Sequence, residues 1–189
     1  MVINPFLISS YRKQAVLKTY KEEYSLAIYY YQKILLLNPT NNIKIEIIKE
    51  LININFHLDE FKEVIFLTKK LMKLKNISNN DFIFLAFSYI KLKRYKKAKY
   101  WLNMIVIEDY SQFIAKHIGL CFLMDQLDNF DKSIYYFGNF LKVGGLRGQN
   151  FKIITLDLGK GQKLEINLEK EFSVSLKYLI FLSFDFSFK

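Results

Sequence analysis

Ala98-Lys-Tyr-Trp-Leu102-Asn-Met-Ile105 is one of four in-frame copies of a single pattern, and its recurrence decides the fold. The other three are Ala27-Ile-Tyr-Tyr-Tyr31-Gln-Lys-Ile34, Val64-Ile-Phe-Leu-Thr68-Lys-Lys-Leu71 and Ser133-Ile-Tyr-Tyr-Phe137-Gly-Asn-Phe140. Their first residues stand 37, 34 and 35 positions apart, and an aromatic precedes each by three places: Tyr24, Phe61, Tyr95 and Phe130. Self-similarity at such a fixed period marks a repeat array. Within each copy the apolar residues recur at three- and four-residue spacing, which gives a helix one buried face. A single helical pair cannot bury that stripe alone, so neighbouring pairs stack into a continuous core.

A second pattern precedes three of the copies. It reads Phe82-x2-Leu85-Ala86-x2-Tyr89 before the third, His117-x2-Leu120-Cys121-x2-Met124 before the fourth, and Ile48-x2-Leu51-Ile52-x2-Asn55 before the second. Together the two patterns resemble the tetratricopeptide repeat (TPR), in which the first helix carries W-x2-L-G-x2-Y and the second A-x3-F with a later proline, here Pro39 in the first copy. The resemblance implies a mainly α fold: a TPR-like right-handed solenoid of about four helical hairpins over residues 8–143, in units 8–41, 45–78, 79–112 and 114–147. Small residues such as Ala86 and Ala98 then sit where paired helices cross. The first helix of the first unit fits poorly, since Gln14 and Lys18 stand at expected apolar positions.

Beyond residue 143 the period changes. Gly144-Gly145-x2-Gly148 interrupts the helical pattern. Phe151 to Leu158 and Leu164, Ile166 and Leu168 then alternate with polar residues around Gly159-Lys-Gly161, which predicts a short β-hairpin within a C-terminal tail, 148–189. Residues 168–189 are open to either strand or helix, with strand favoured at the very end. A two-stranded hairpin is marginal alone. The tail is therefore expected to cap the helix around Ile134 to Leu141 or to self-associate through an open strand edge.

Length and composition agree with a single array. The chain has 189 residues, 51% hydrophobic and 24% charged, with two prolines and seven glycines, which are globular proportions. The one cysteine, Cys121, leaves no intramolecular disulfide and no cysteine-based zinc site. The N-terminal residues lack the pattern of a secretory signal, and no apolar run approaches the roughly 18 residues of a membrane span. A cytoplasmic protein is the expectation.

The net charge of +10 is unevenly spread. Between Lys62 and Lys99 eleven Lys and Arg face only Glu63 and Asp81, a local charge of +9. Lys69, Lys70, Lys73, Lys93, Arg94, Lys96, Lys97 and Lys99 form this basic patch. Such a run either solvates helix faces or contacts an anionic partner, nucleic acid or acidic lipid.

Catalytic chemistry finds little footing. His57 and His117 are the only histidines. His117 and Cys121 share a helix face, but Cys121 stands at the repeat's small, buried position, where a cysteine acts as a small hydrophobe. There is no H-E-x-x-H, Walker loop or dinucleotide fingerprint, so no catalytic residue, metal or cofactor is expected. The resemblance implies instead a non-enzymatic scaffold whose first helices line a concave groove for a peptide or partner helix. Carried over position by position, the groove comprises Lys49, Asn53, His57, Asn80, Phe84, Phe87, Lys91, Phe122 and Gln126. Lys49 and Asn53 match half of the family's clamp for a C-terminal carboxylate; Phe84, Ala115 and Gly119 stand where the rest would be. Phe84, Phe87 and Phe122 suit a groove and helix packing equally.

Overall fold

The computed structural model describes residues 5–144, 153–157 and 163–167, and they belong to two compact units divided between Ile77 and Ser78. The described residues are mainly helical. The first unit holds α1 (Pro5–Tyr20), α2 (Tyr24–Leu36), α3 (Asn41–His57) and α4 (Phe61–Lys73). In it α1 packs on α2 and α3 on α4, while α2 also meets α3. The second unit holds α5 (Asn79–Lys91), α6 (Tyr95–Met104), α7 (Tyr110–Asp125) and α8 (Phe130–Gly144). Here α5 packs on α6 and α7 on α8, and α7 lies against both α5 and α6.

Every hairpin turns in the same way, for a local reason. Glu22, Asp59, Lys93 and Asp128 each take a left-handed φ of 54–59° two residues before the aromatic that opens the second helix. That conformation brings the next residue's N–H back onto the first helix. Glu23 donates to the Lys18 carbonyl (2.9 Å), Glu60 to Asn55 (2.8 Å), Arg94 to Tyr89 (2.8 Å) and Asn129 to Met124 (2.9 Å). One of the carbonyls otherwise stranded at a helix C-terminus is thereby satisfied.

The repeated small positions sit at the helix crossings. Ala27, Val64, Ala98 and Ser133 are all fully buried. Ser133 also pairs its hydroxyl, which donates to the Cys121 carbonyl at 2.9 Å and so ties α8 to α7. Where α7 crosses α6 the approach is closer still: a Cβ placed on Gly119 would stand 2.7 Å from a Leu102 methyl. Gly119 thus fits as a spacer between helices. The poorly matching α1 forms nonetheless, because Lys18 stays partly exposed and pairs with Glu23 at 2.6 Å instead of entering the core.

Two side-chain caps begin the second unit's first helices. The Ser78 N–H and hydroxyl both donate to the Asp81 carboxylate, at 2.8 and 2.6 Å. Asp109 accepts from the Gln112 N–H at 2.8 Å. Each satisfies donors or places an acid in the first turn, against the positive end of the helix dipole.

Strands β1 (Ile153–Asp157) and β2 (Lys163–Asn167) pair antiparallel, Ile153 opposite Asn167 and Asp157 opposite Lys163. β1 approaches α7. The expected turn at Gly159-Lys-Gly161 and the strand-or-helix segment 168–189 lie outside the described residues, as do the side chains that a cap or a self-associating edge would use. Among the described residues no helix is long and apolar enough to cross a membrane.

Candidate functional site

In the first unit three of the expected groove residues fall on one line of α3. Lys49, Asn53 and His57 are spaced by four residues, so they stack one turn above another. His57 is exposed, with its ring parallel to that of Tyr24 on α2 at 6.3 Å. Lys49 is half-buried. Asn53 is only 8% exposed, and its Oδ1 accepts no hydrogen bond among the described residues. A buried acceptor without a donor costs about 1–3 kcal/mol.

The same face continues onto α1 through an ion pair that sequence reading missed. Arg12 binds Glu46, one turn before Lys49, at 2.8 Å. Arg12 also borders a depression of about 610 Å³ whose described lining is Ser9, Arg12, Lys13, Val16, Leu17 and Tyr20. Val16, Leu17 and Tyr20 are exposed apolar side chains. Beside them Glu50 is partly buried, which holds its carboxyl above the ordinary 4.5; the Arg12 charge opposes the rise and Glu46 adds to it. Tyr31 is pushed up as well, first by burial and then by the Glu50 charge. The signal for α1 was hidden because Gln14 and Lys18 break its apolar pattern.

In the second unit the expected groove is corrected. Phe84 and Phe87 are buried in the core, and the Phe87 ring reaches the backbone of α7 at Gly119. Their aromatic surface serves helix packing and is not presented to a ligand. Phe122 and Asn80 are half-buried, Lys91 and Gln126 exposed. Gln126 Oε1 accepts from the Tyr95 hydroxyl at 3.3 Å.

The basic patch is divided between the two units. Lys69, Lys70 and Lys73 are exposed on α4, with the Lys70 ammonium 4.2 Å from the Phe66 ring centre. Lys93, Arg94, Lys96, Lys97 and Lys99 are exposed on the α5–α6 turn and α6. Among the described residues none of these five forms an ion pair. Trp101, half-buried, stacks on Phe82 at 5.5 Å, and Tyr100 packs edge-on against it at 4.9 Å.

The histidine–cysteine pair of α7 has settled structural roles. His117 Nδ1 donates to the Phe113 carbonyl at 2.8 Å, and the ring stacks on Phe113. Burial pushes the Cys121 thiol up to about 12, with the Ser133 hydroxyl opposing the rise and the Asp125 charge adding to it. The thiolate that nucleophilic chemistry needs is suppressed. Among the described residues no three His, Cys, Asp or Glu side chains gather as metal ligands.

Compared with known proteins, the chain matches no family model and no curated sequence.

Proposed function

We propose that the protein is a non-enzymatic, cytoplasmic scaffold of TPR-like helical hairpins. Its partner, an extended peptide or a helix of another protein, lies on the α1–α3 face of the first unit. The observation that carries this reading is the exposed apolar row Val16, Leu17 and Tyr20 on α1, which borders a depression together with Arg12, whose ion pair with Glu46 leads onto the Lys49–Asn53–His57 line of α3. Exposed Val16, Leu17 and Tyr20 supply the apolar contact, and exposed His57 supplies a polar one at the end of the α3 line. The reaction-free character is inferred from the suppressed Cys121 thiol; the tie to the family is by analogy of pattern.

The test is a peptide selection on the full chain, followed by titration of the recovered peptides. Lys49→Ala with His57→Ala is expected to weaken them at least about tenfold, consistent with the share of binding energy carried by a few central residues. Phe122→Ala with Gln126→Ala, on the second unit, is expected to leave binding unchanged. Retention of affinity by the first variant, with helical circular dichroism intact, removes the α1–α3 face as the site.

A further inference from the structure

From Phe82 to Ile107 the chain contains no acidic residue and six cations, Lys91, Lys93, Arg94, Lys96, Lys97 and Lys99. Helix α6 buries Ala98 and Leu102, and its exposed surface carries Lys96, Lys97, Lys99, Tyr100, Asn103 and Met104. Tyr100 is 56% exposed in the middle of those lysines. A cationic helix face that keeps an aromatic and a methionine in water already departs from a plain solvated surface.

The segment after α6 adds a second observation. Residues 105–109 follow the end of α6, where the Ile105 N–H still donates to the Leu102 carbonyl at 3.3 Å, and are fixed from several sides. The Val106 N–H donates to Asn79 Oδ1 (3.1 Å), the Glu108 N–H to Gln112 Oε1 (2.9 Å), and the Lys116 ammonium to the Ile105 carbonyl (2.8 Å). Ile105 points into the core. Val106 and Ile107 do not: they are 65% and 44% exposed. The loop is held in place while presenting two aliphatic side chains to solvent, directly before the exposed acids Glu108 and Asp109. It lies beyond a helix whose lysines have no acidic partner among the described residues, Lys97 lying over the Tyr89 ring at 5.8 Å.

The two chemistries together select the partner. A polynucleotide engages the lysines and can stack a base on Tyr100, but it offers no apolar phase to Val106, Ile107 and Met104. The surface of a bilayer with anionic lipid offers both, attracting Lys and Arg to its headgroups and burying aliphatic side chains at the acyl boundary, with tyrosine at the interface between them. We propose that the outer face of α6, with Val106 and Ile107 beyond it, forms a peripheral docking surface for membranes rich in anionic lipid. In it Lys96, Lys97 and Lys99 lie on the headgroups while Val106 and Ile107 enter the acyl boundary. This surface belongs to the second unit alone and does not depend on the peptide site of the first.

Full-length protein is sedimented with vesicles of phosphatidylcholine alone and of phosphatidylcholine with roughly 30% phosphatidylserine, at near-physiological salt. Binding is expected only to the anionic vesicles. Neutralising Lys96, Lys97 and Lys99 to Gln is expected to weaken it about a hundredfold, and Val106→Asp with Ile107→Asp about tenfold or more. All five residues are exposed, and circular dichroism checks that the helices persist. Failure to bind the anionic vesicles overturns the proposal. So does undiminished binding by the Val106→Asp, Ile107→Asp variant, which would leave adsorption by charge alone. A single-stranded oligonucleotide that binds the wild type through the same lysines, while anionic vesicles do not, assigns the surface to nucleic acid and overturns it equally.

Discussion

Glu50 is a carboxyl that the fold makes uncomfortable. Burial raises its pKa above the ordinary 4.5, Glu46 raises it further, and Arg12, already committed to Glu46 at 2.8 Å, offsets only part of this. Between 4.5 and the raised value the native chain holds more proton than the unfolded chain does. Stability therefore falls as pH rises through that window, the reverse of a carboxylate held by a strong ion pair. At neutral pH the whole of the penalty is present. Glu50→Gln is expected to raise the melting temperature at pH 7 and to leave it nearly unchanged below pH 4.5, where the native carboxyl is already neutral. Thermal unfolding across this range checks the sign: a variant less stable than wild type at pH 7 would mean that the Arg12 attraction outweighs desolvation. The same balance lifts the Tyr31 hydroxyl, so its ionisation, followed by absorbance, should shift downward in the Glu50→Gln chain.

At the scale of elements, the start of α7 is secured by a clasp of side chains from distant parts of the sequence. Gln112 is buried, with its N–H donated to Asp109 and its Oε1 accepting from the Glu108 N–H and, at 3.5 Å, from Asn79. Gln112→Ala strips an acceptor from a partly buried N–H, which costs about 1–3 kcal/mol. Gln112→Glu keeps the acceptor for Glu108 and should cost less. Denaturant unfolding decides: a loss for Gln112→Ala within the roughly 0.5 kcal/mol of an ordinary surface change would mean that Ile105 burial and the Asn79 and Lys116 hydrogen bonds hold the loop without Gln112. This clasp was not legible in the sequence, because Asn79 and Val106 are 27 residues apart and no local pattern links a polar side chain to a loop amide. The helix starts were legible. α2, α4, α6 and α8 each begin on the aromatic that stands three places before a fully buried residue of the pattern, Ala27, Val64, Ala98 and Ser133. Phe84 and Phe87 were read less well: an aromatic on a first helix matches a groove and a core equally, and packing against a neighbouring helix is decided by residues such as Gly119 that lie far along the chain. The Arg12–Glu46 pair escaped notice for the same reason, joining helices through charges that carry no periodic signal.

On the scale of the whole molecule the dominant physical fact is charge. The chain carries +10, of which +9 lies between Lys62 and Lys99, and like charges gathered on each unit destabilise the compact state by mutual repulsion. Salt acts on this over a definite range: the screening length falls from about 30 Å at 0.01 M to about 8 Å at 0.15 M. Screening also weakens Arg12–Glu46 and Lys18–Glu23, but the first is exposed and the second partly so, and exposed pairs contribute only about 0–1 kcal/mol. Repulsion is the larger effect, so the melting temperature is expected to rise as sodium chloride increases across this interval. Replacing Lys96, Lys97 and Lys99 by Gln should flatten the rise, because it removes cations that have no acidic partner among the described residues. A fall in melting temperature would place attraction above repulsion and contradict this account. Sodium phosphate at equal ionic strength separates screening from occupancy. Screening alone gives the chloride result again, whereas an anion bound between the lysines of α6 adds stability that grows with the logarithm of phosphate concentration and disappears in the triple Gln variant.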